Sequence, residues 1–285
     1  MESISLRAPA KVNLRLDILG KRPDGYHEIK TWIYPISLAD ELHIEKSKTA
    51  QITISSAHPG LPLGEENLAH RAAALFIRER GLPGGVRIEI IKHIPLAAGL
   101  GGGSSDAATV LKAMNILWGN KIPLEGLMEM GARIGADVPC FVVGQGTLMG
   151  GKGERVLTVL PPLTAWMILI NPGLPLSTKD VYQQGKWGLT KQGGDTKISM
   201  PPQELEKMGK FLHNDLEGPA MELMPIIKTI KERLLEAGAS GVLMTGSGPT
   251  VFGLFGKEAE ARQAAKDLKI EQGWICFVAN TLADT

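Results

Sequence analysis

The 285-residue sequence predicts an α+β chain of two lobes, and three observations carry that expectation. Upstream of position 92, apolar and polar residues alternate repeatedly, the period of strands with one buried face. A glycine-rich passage from Pro95 to Ser105 then gives way to apolar residues spaced as one face of a helix. Beyond Pro161-Pro162, the order read from Met167 is β-α-β-β-α-β, the split βαβ or ferredoxin-like plan. The expected lobes are therefore 1–162, an N-terminal α/β lobe with an extra β-strand arm, and 163–285, a ferredoxin-like lobe.

Residues Ile4 to Leu19 read as β structure, with Val12, Leu14, Leu16 and Ile18 alternating against Lys11, Asn13, Arg15 and Asp17. Ala8-Pro9-Ala10 interrupts the run and predicts an edge or a bulge. Arg22-Pro23-Asp24-Gly25 places proline and glycine as β-turns prefer and delivers Tyr26 and His27 at its end. Strand patterns resume over Trp32–Leu38 and, through Leu42, Ile44, Ile52 and Ile54, over Glu41–Ser55. Asn67 precedes helically spaced Leu68, Ala72, Leu75 and Phe76 and reads as their N-cap. Val86–Ile91 is a further strand leading into the glycine-rich passage.

Pro123 opens another one-faced helix that is expected to end at Gly135. Asp137 follows, two residues before Pro139, and reads as a helix cap or as a placed carboxylate. In the second lobe the expected elements are a strand at Met167–Ile170, a helix through Leu223, Ile226, Ile230 and Leu234, and strands at Val242–Met244 and Val251–Phe255. A helix at Glu258–Leu268 and a strand at Trp274–Val278 complete it. The polar stretch Lys186–Pro202 reads as a lid-like connection.

Composition sets limits on function. Hydrophobic content of 44% and charged content of 21% are ordinary for a globular protein. A net charge of +1 makes no case for nucleic acid or an anionic membrane as partner, so any attraction for phosphate must be local. Cys140 and Cys276 stand far apart and form no motif, as suits a reducing compartment. The chain shows neither a signal-peptide pattern nor an apolar run of transmembrane length, and a cytoplasmic setting is expected.

The stretch richest in chemistry is Ile94-Pro95-Leu96-Ala97-Ala98-Gly99-Leu100-Gly101-Gly102-Gly103-Ser104-Ser105-Asp106-Ala107. Val110, Leu111, Met114 and Leu117 continue it as a helix, with Ser104 or Ser105 as the expected N-cap. Glycines ahead of a helix let backbone N–H groups approach a ligand closely, and the helix N-terminus favours an anion. A phosphate cradle is expected. The dinucleotide fingerprint fails, because Ser104 stands where glycine or alanine is required. A second glycine pattern, Gly146 to Lys152, imitates a P-loop but meets Gly153 instead of a hydroxyl residue and runs on into a strand.

Pro9-Ala10-Lys11-Val12-Asn13-Leu14, the Pro95–Ser105 loop and the Gly246-Ser247-Gly248 turn resemble the three motifs of the GHMP small-molecule kinases. Arg22 to His27, Gly135-Ala136-Asp137-Val138-Pro139 and His213-Asn214-Asp215-Leu216-Glu217 resemble the branch serving the non-mevalonate (methylerythritol phosphate) isoprenoid pathway. The resemblance runs from about Ala8 to the final strand. It implies a GHMP-kinase-like two-lobe fold and ATP-dependent phosphorylation of the 2-hydroxyl of a cytidine-diphosphate-linked methylerythritol.

The same resemblance implies the roles. Asp137 would be the base and Lys11 its paired ammonium. The Pro95–Ser105 loop would hold the ATP phosphates, with Asn67 and Lys92 lining the adenine pocket. Tyr26 and Tyr182 would sandwich the cytosine, with backbone groups at His27 pairing to its edge. Asn13, Gly246, Ser247 and Gly248 would face the substrate. Mg2+ is expected with ATP, held mainly by nucleotide oxygens, with Ser104 as the candidate side-chain ligand. Two rival readings share the loop: another GHMP kinase, of homoserine or mevalonate type, and a non-catalytic nucleotide-binding module.

Overall fold

The computed structural model describes residues 2–119, 121–185, 187, 200–202 and 204–282. The Lys186–Pro202 connection lies for the most part outside the described residues. The first two strands, β1 (Ser3–Lys21) and β2 (His27–Ser47), form one long antiparallel hairpin. Its turn is the one the sequence signals: Gly25, at φ +85°, donates its N–H to Arg22 O at 3.1 Å. The register shifts between Pro9 and Lys11, as the proline at this break predicts, and again after Asn13 and Ile18. One expectation needs correcting. The two strand patterns at 32–38 and 41–55 are the single β2 followed by the short β3 (Ile52–Ser55). The alternation fades across Trp32–Ile36 because all five residues are buried, so neither face has to be polar.

α1 (Leu68–Arg80) starts at Asn67, whose side chain accepts the Ala69 N–H, and is followed by β4 (Gly85–Ile91). α2 (Gly102–Leu117) carries the glycine-rich stretch into the core through Ala107, Val110, Leu111 and Met114. α3 (Leu124–Ala132) begins after Pro123 and stops three residues short of Gly135, and α4 (Val138–Val143) follows Asp137. β5 (Thr147–Gly150) and β6 (Arg155–Val159) complete the lobe, so the P-loop imitation lies in a hairpin and leads to no helix.

The second sheet holds β7 (Trp166–Asn171), β9 (Val242–Met244), β10 (Val251–Phe255) and β11 (Ile275–Asn280) in the antiparallel order β11-β7-β10-β9. That is the ferredoxin-like order. Between β7 and β9 come α5 (Thr178–Gln184), α6 (Leu205–Phe211), β8 (His213–Asn214), α7 (Glu217–Leu223) and α8 (Ile226–Glu236), and α9 (Glu258–Asp267) precedes β11. Leu223 ends α7 and does not belong to the longer helix expected there, because Pro225 forces a new start.

The larger, seven-stranded sheet runs β3-β4-β2-β1-β8, with β5 also on β2 and β6 beyond it. Its helical face is sealed by α1, α2 and α4 through Phe76, Leu111, Met114 and Phe141. The opposite face around Val12, Leu14 and Trp32 packs against Leu169, Phe252 and Leu254 of the second sheet. β8 crosses over to pair in parallel with β1 at Arg15 and Leu16. β1 is thus buried on both faces from Lys11 to Leu14, between the lobes.

Candidate active site

The glycine loop and its helix are built by backbone geometry. Gly101, at φ +72°, occupies the N-cap of α2, which L side chains adopt only at a cost. This corrects the expected cap: Ser104 and Ser105 lie inside the first turn, because the positive φ at Gly101 starts the helix early. The Ser105 N–H makes its bond to Gly101 O at 2.9 Å, so the amides just before it remain open to a ligand. Gly99 lies against the second lobe, where a Cβ would fall 2.4 Å from Thr245 O. A Cβ on Gly246 would in turn sit 3.1 Å from Gly99 O and 3.3 Å from Lys11 Nζ. Loop and turn meet backbone to backbone.

Ala97, Gly99, Gly101 and Ser104 line a cleft of about 1150 Å³ together with Lys11, Asn13, Tyr26, His27, Asp137, Tyr182, Gly246 and Ser247. The other loop residues support it. Ala98 and Leu100 are core residues beneath the loop, and Leu100 O accepts the Lys11 N–H at 3.0 Å. Ser105 is fully buried, and its hydroxyl has no partner among the described residues. Pro95, Leu96, Gly102 and Gly103 belong to the loop without lining the cleft, and neither does Gly248, which packs on Met244 and Leu176.

The Lys11 ammonium lies 3.7 Å from Asp137 Oδ2, with the lysine buried and the carboxylate partly open to the cleft. It also donates to Asn13 Oδ1 at 2.5 Å. Asn13 is held in turn by Thr31 Oγ1 (2.8 Å) and Thr245 Oγ1 (3.1 Å). Asp137 is the residue before α4, yet its side chain makes no capping bond. The capping alternative is therefore not realised, and the carboxylate stays available to the cleft.

At the mouth, His27 stacks on Tyr182 with ring centroids 5.0 Å apart, and Trp187 stands edge-on to His27 at 5.9 Å. Burial, aided by Lys21, pushes the His27 pKa down, so the imidazole is neutral at pH 7. Burial, with help from Asp137, raises the Tyr182 phenol to about 12, so it stays protonated. Tyr26 is not the half-covered core aromatic its residue type allows. It is 56% exposed, with the Lys152 ammonium 4.7 Å from its ring centre.

The cleft is locally cationic: among the described residues, Lys11, Lys21, Lys152 and Lys179 line it against Asp137 alone of the carboxylates. Several of its residues carried no signal of their own in the sequence. Lys152 was part of the rejected P-loop pattern, whereas Thr178, bonded to Ser247 at 2.7 Å, sits on α5. Ser177, which caps α5 by accepting the Asp180 N–H, was the clue available there. Asn67 and Lys92 lie outside the cleft lining. Both Asn67 groups are taken, by Ala69 N–H and Pro62 O, and Lys92 is bound to Asp40 and Asp106. Among the described residues, three ligand-capable side chains gather at Asp17, His213 and Asp215, none of them in the cleft. No helix among those residues is long and apolar enough to cross a membrane.

Comparison with known proteins agrees with this geometry. Residues 67–145 match the GHMP kinases N terminal domain, and residues 202–272 match the GHMP kinases C terminal domain. A 4-diphosphocytidyl-2-C-methyl-D-erythritol kinase of Geobacter metallireducens is 47% identical, covering 99% of this chain and 100% of its own. A Geobacter sp. protein of the same name is 43% identical over the same shares. A crystal structure of 4-(cytidine 5'-diphospho)-2C-methyl-D-erythritol kinase superposes with a TM-score of 0.81 at 37% identity, covering 98% of this chain and 99% of the other. A homoserine kinase from Cytophaga hutchinsonii, at 20% identity and TM-score 0.75, shares the fold. The chain belongs to the GHMP kinase family, among its 4-diphosphocytidyl-2-C-methyl-D-erythritol kinases.

Proposed function

We infer that this chain transfers the γ-phosphoryl group of ATP to the 2-hydroxyl of 4-diphosphocytidyl-2-C-methyl-D-erythritol, giving the 2-phosphate and ADP in the methylerythritol phosphate pathway. The observation that carries this reading is the Lys11–Asp137 couple, 3.7 Å apart in the same cleft as the open amides of the glycine loop. The loop and the N-terminus of α2 hold the triphosphate, where amide dipoles favour negative charge. Asp137 accepts the proton of the hydroxyl as its oxygen bonds to phosphorus and the bond to the ADP oxygen breaks. Lys11, held by Asn13, which Thr31 holds in turn, offsets the charge that develops beside it. Positioning and electrostatics are the main contributions a protein makes to this class of reaction.

Tyr26, His27 and Tyr182 form the side of the cleft suited to a cytosine, and Asn13 with the Gly246-Ser247-Gly248 turn lies toward the erythritol and phosphate end. A neutral His27 fits an uncharged base edge. Lys21, Lys152 and Lys179 supply positive charge for a substrate that brings a diphosphate. Ser104 and Asp137 offer one hydroxyl and one carboxylate to the cleft, a donor set that fits a Mg2+ taking its other ligands from phosphate and water. When bound, that ion would neutralise phosphate charge. Asn67 and Lys92 stand behind the loop with their polar groups already engaged, so on this reading any part they play in ATP binding is indirect. On this reading the N-terminal lobe, 1–162, brings loop and couple, and the C-terminal lobe, 163–285, brings Tyr182 and the Gly246 turn.

A panel of alcohols with ATP and magnesium, read by phosphorus NMR, tests the assignment. Phosphorylation of the cytidylyl alcohol with homoserine and mevalonate left untouched is expected. Turnover of either of those, with none of the cytidylyl compound, would overturn it.

A further inference from the structure

Beneath the glycine loop, outside the cleft lining, lies a buried charged group. The Lys92 ammonium is bonded to Asp40 and, at 2.9 Å, to Asp106 Oδ2, and all three side chains are at most 1% exposed. Asp40 stands in β2, Lys92 directly after β4, and Asp106 in α2. The other Asp40 oxygen accepts the backbone N–H groups of His93 at 2.6 Å and Ile94 at 2.9 Å. Both ends of the loop are therefore tied to one aspartate of the sheet, the near end directly and the far end through the lysine. The ammonium also lies against the first residue of α2, since a Cβ on Gly102 would be 3.2 Å from Nζ.

Stability alone gives a poor account of this group. Removing such ionisable groups from water is costly, and well-packed apolar side chains often serve stability as well. Asp106 Oδ1, fully buried, has no hydrogen-bond partner among the described residues. Burial works against the Lys92 charge, yet Asp106 and Asp40 hold its pKa above the ordinary value. What a directional ion pair adds over apolar packing is registry.

We propose that Asp40, Lys92 and Asp106 are positioning residues, a buried clasp that holds the two ends of the glycine loop at the separation an ATP triphosphate requires. The clasp acts through the backbone it fixes and rests on the kinase reading. Its loss should weaken ATP use most, because Lys11 on β1, Asp137 before α4, His27 at the start of β2 and Tyr182 on α5 make no hydrogen bond to the clasp among the described residues.

The test is steady-state kinetics on the full chain. Asp106→Asn keeps the shape but replaces the carboxyl group that accepts from Lys92, and is expected to raise KM for ATP about 10-fold or more, as small misplacements in a site do, while kcat and KM for the alcohol stay within about threefold. Asp40→Asn, Lys92→Met and Asp106→Leu together remove the ionic group as a unit and should give the same split if the single variant folds poorly. A folded variant whose KM for ATP stays within about twofold overturns the clasp, and so does an equal loss in all three constants. In the unaltered chain, hydrogen exchange should find the His93 and Ile94 amides protected without nucleotide; free exchange there would refute it regardless of how the variants fold. Absence of ATP-dependent turnover in the unaltered chain would instead remove the kinase reading itself.

Discussion

Gly99→Ala tests whether the two lobes meet at the glycine loop as closely as the geometry requires. Gly99 has φ +75°, a conformation that costs an alanine about 1–2 kcal/mol. The added Cβ would fall 2.4 Å from Thr245 O and 3.0 Å from Gly248 O, both backbone atoms that cannot rotate away. Restoring a contact near the usual ~3.5 Å requires loop and turn to part by about 1 Å. That separation pulls Gly246 from Lys11 and Asn13, where its own Cβ position is only 3.3 Å from Nζ. A shift of about 1 Å in a reacting geometry costs roughly 100-fold, so kcat/KM should fall by about that factor. Gly218→Ala is the control. It lies in α7, where a Cβ meets nothing within 4 Å, so it should leave kinetics unchanged and raise stability by about 0.5–1 kcal/mol. Initial rates with ATP and the cytidylyl alcohol, and thermal melts, measure both. A Gly99→Ala enzyme within about threefold of the original kcat/KM would refute the close-contact argument.

Two further outcomes are expected. Tyr182→Ala removes the ring stacked on His27 and should raise KM for the cytidylyl alcohol by about 5- to 100-fold, the range of base-stacking energies, with KM for ATP unmoved; parallel changes in both constants would count against a base-binding role. The Asp106 carboxyl gives a pH signature in stability. In the folded chain it keeps its proton up to about 7, against an ordinary 3.8, so the unfolded chain binds fewer protons between those values. Stability from this group is therefore greatest at low pH and is lost as pH rises from about 4 to 7. Denaturation midpoints of Asp106→Asn should gain on the unaltered chain across that window, and parallel curves would contradict the shift.

Local signals in the sequence were reliable where one residue type meets one backbone demand. The Arg22–Gly25 turn, the Asn67 cap and the rejected Gly146–Lys152 imitation appear as expected, because each depends on neighbours a few residues away, and the ferredoxin-like order appears too, although it pairs strands as distant as β7 and β11. The Trp32–Ile36 segment was harder, since burial on both faces erases the alternation that marks a strand. The helix start was misplaced by serine's ordinary preference for the cap, which the positive φ of Gly101 overrides. Of the site, Lys11, Asp137 and the loop were legible through motifs. Lys152, Thr178 and Trp187 were not, because their approach to the cleft depends on tertiary placement alone. The same holds for Asp40 and Asp106, which lie 66 residues apart in the chain and meet through Lys92.

The central claim is that one carboxylate, held against Lys11, takes the acceptor's proton while the loop holds the nucleotide. Single-turnover phosphoryl transfer by Asp137→Asn, with ATP affinity measured on the same preparation, tests it most directly. A fall in rate of about 10²–10⁴-fold with ATP affinity within about threefold is predicted, the usual contribution of a general base. Transfer at the original rate would contradict the account.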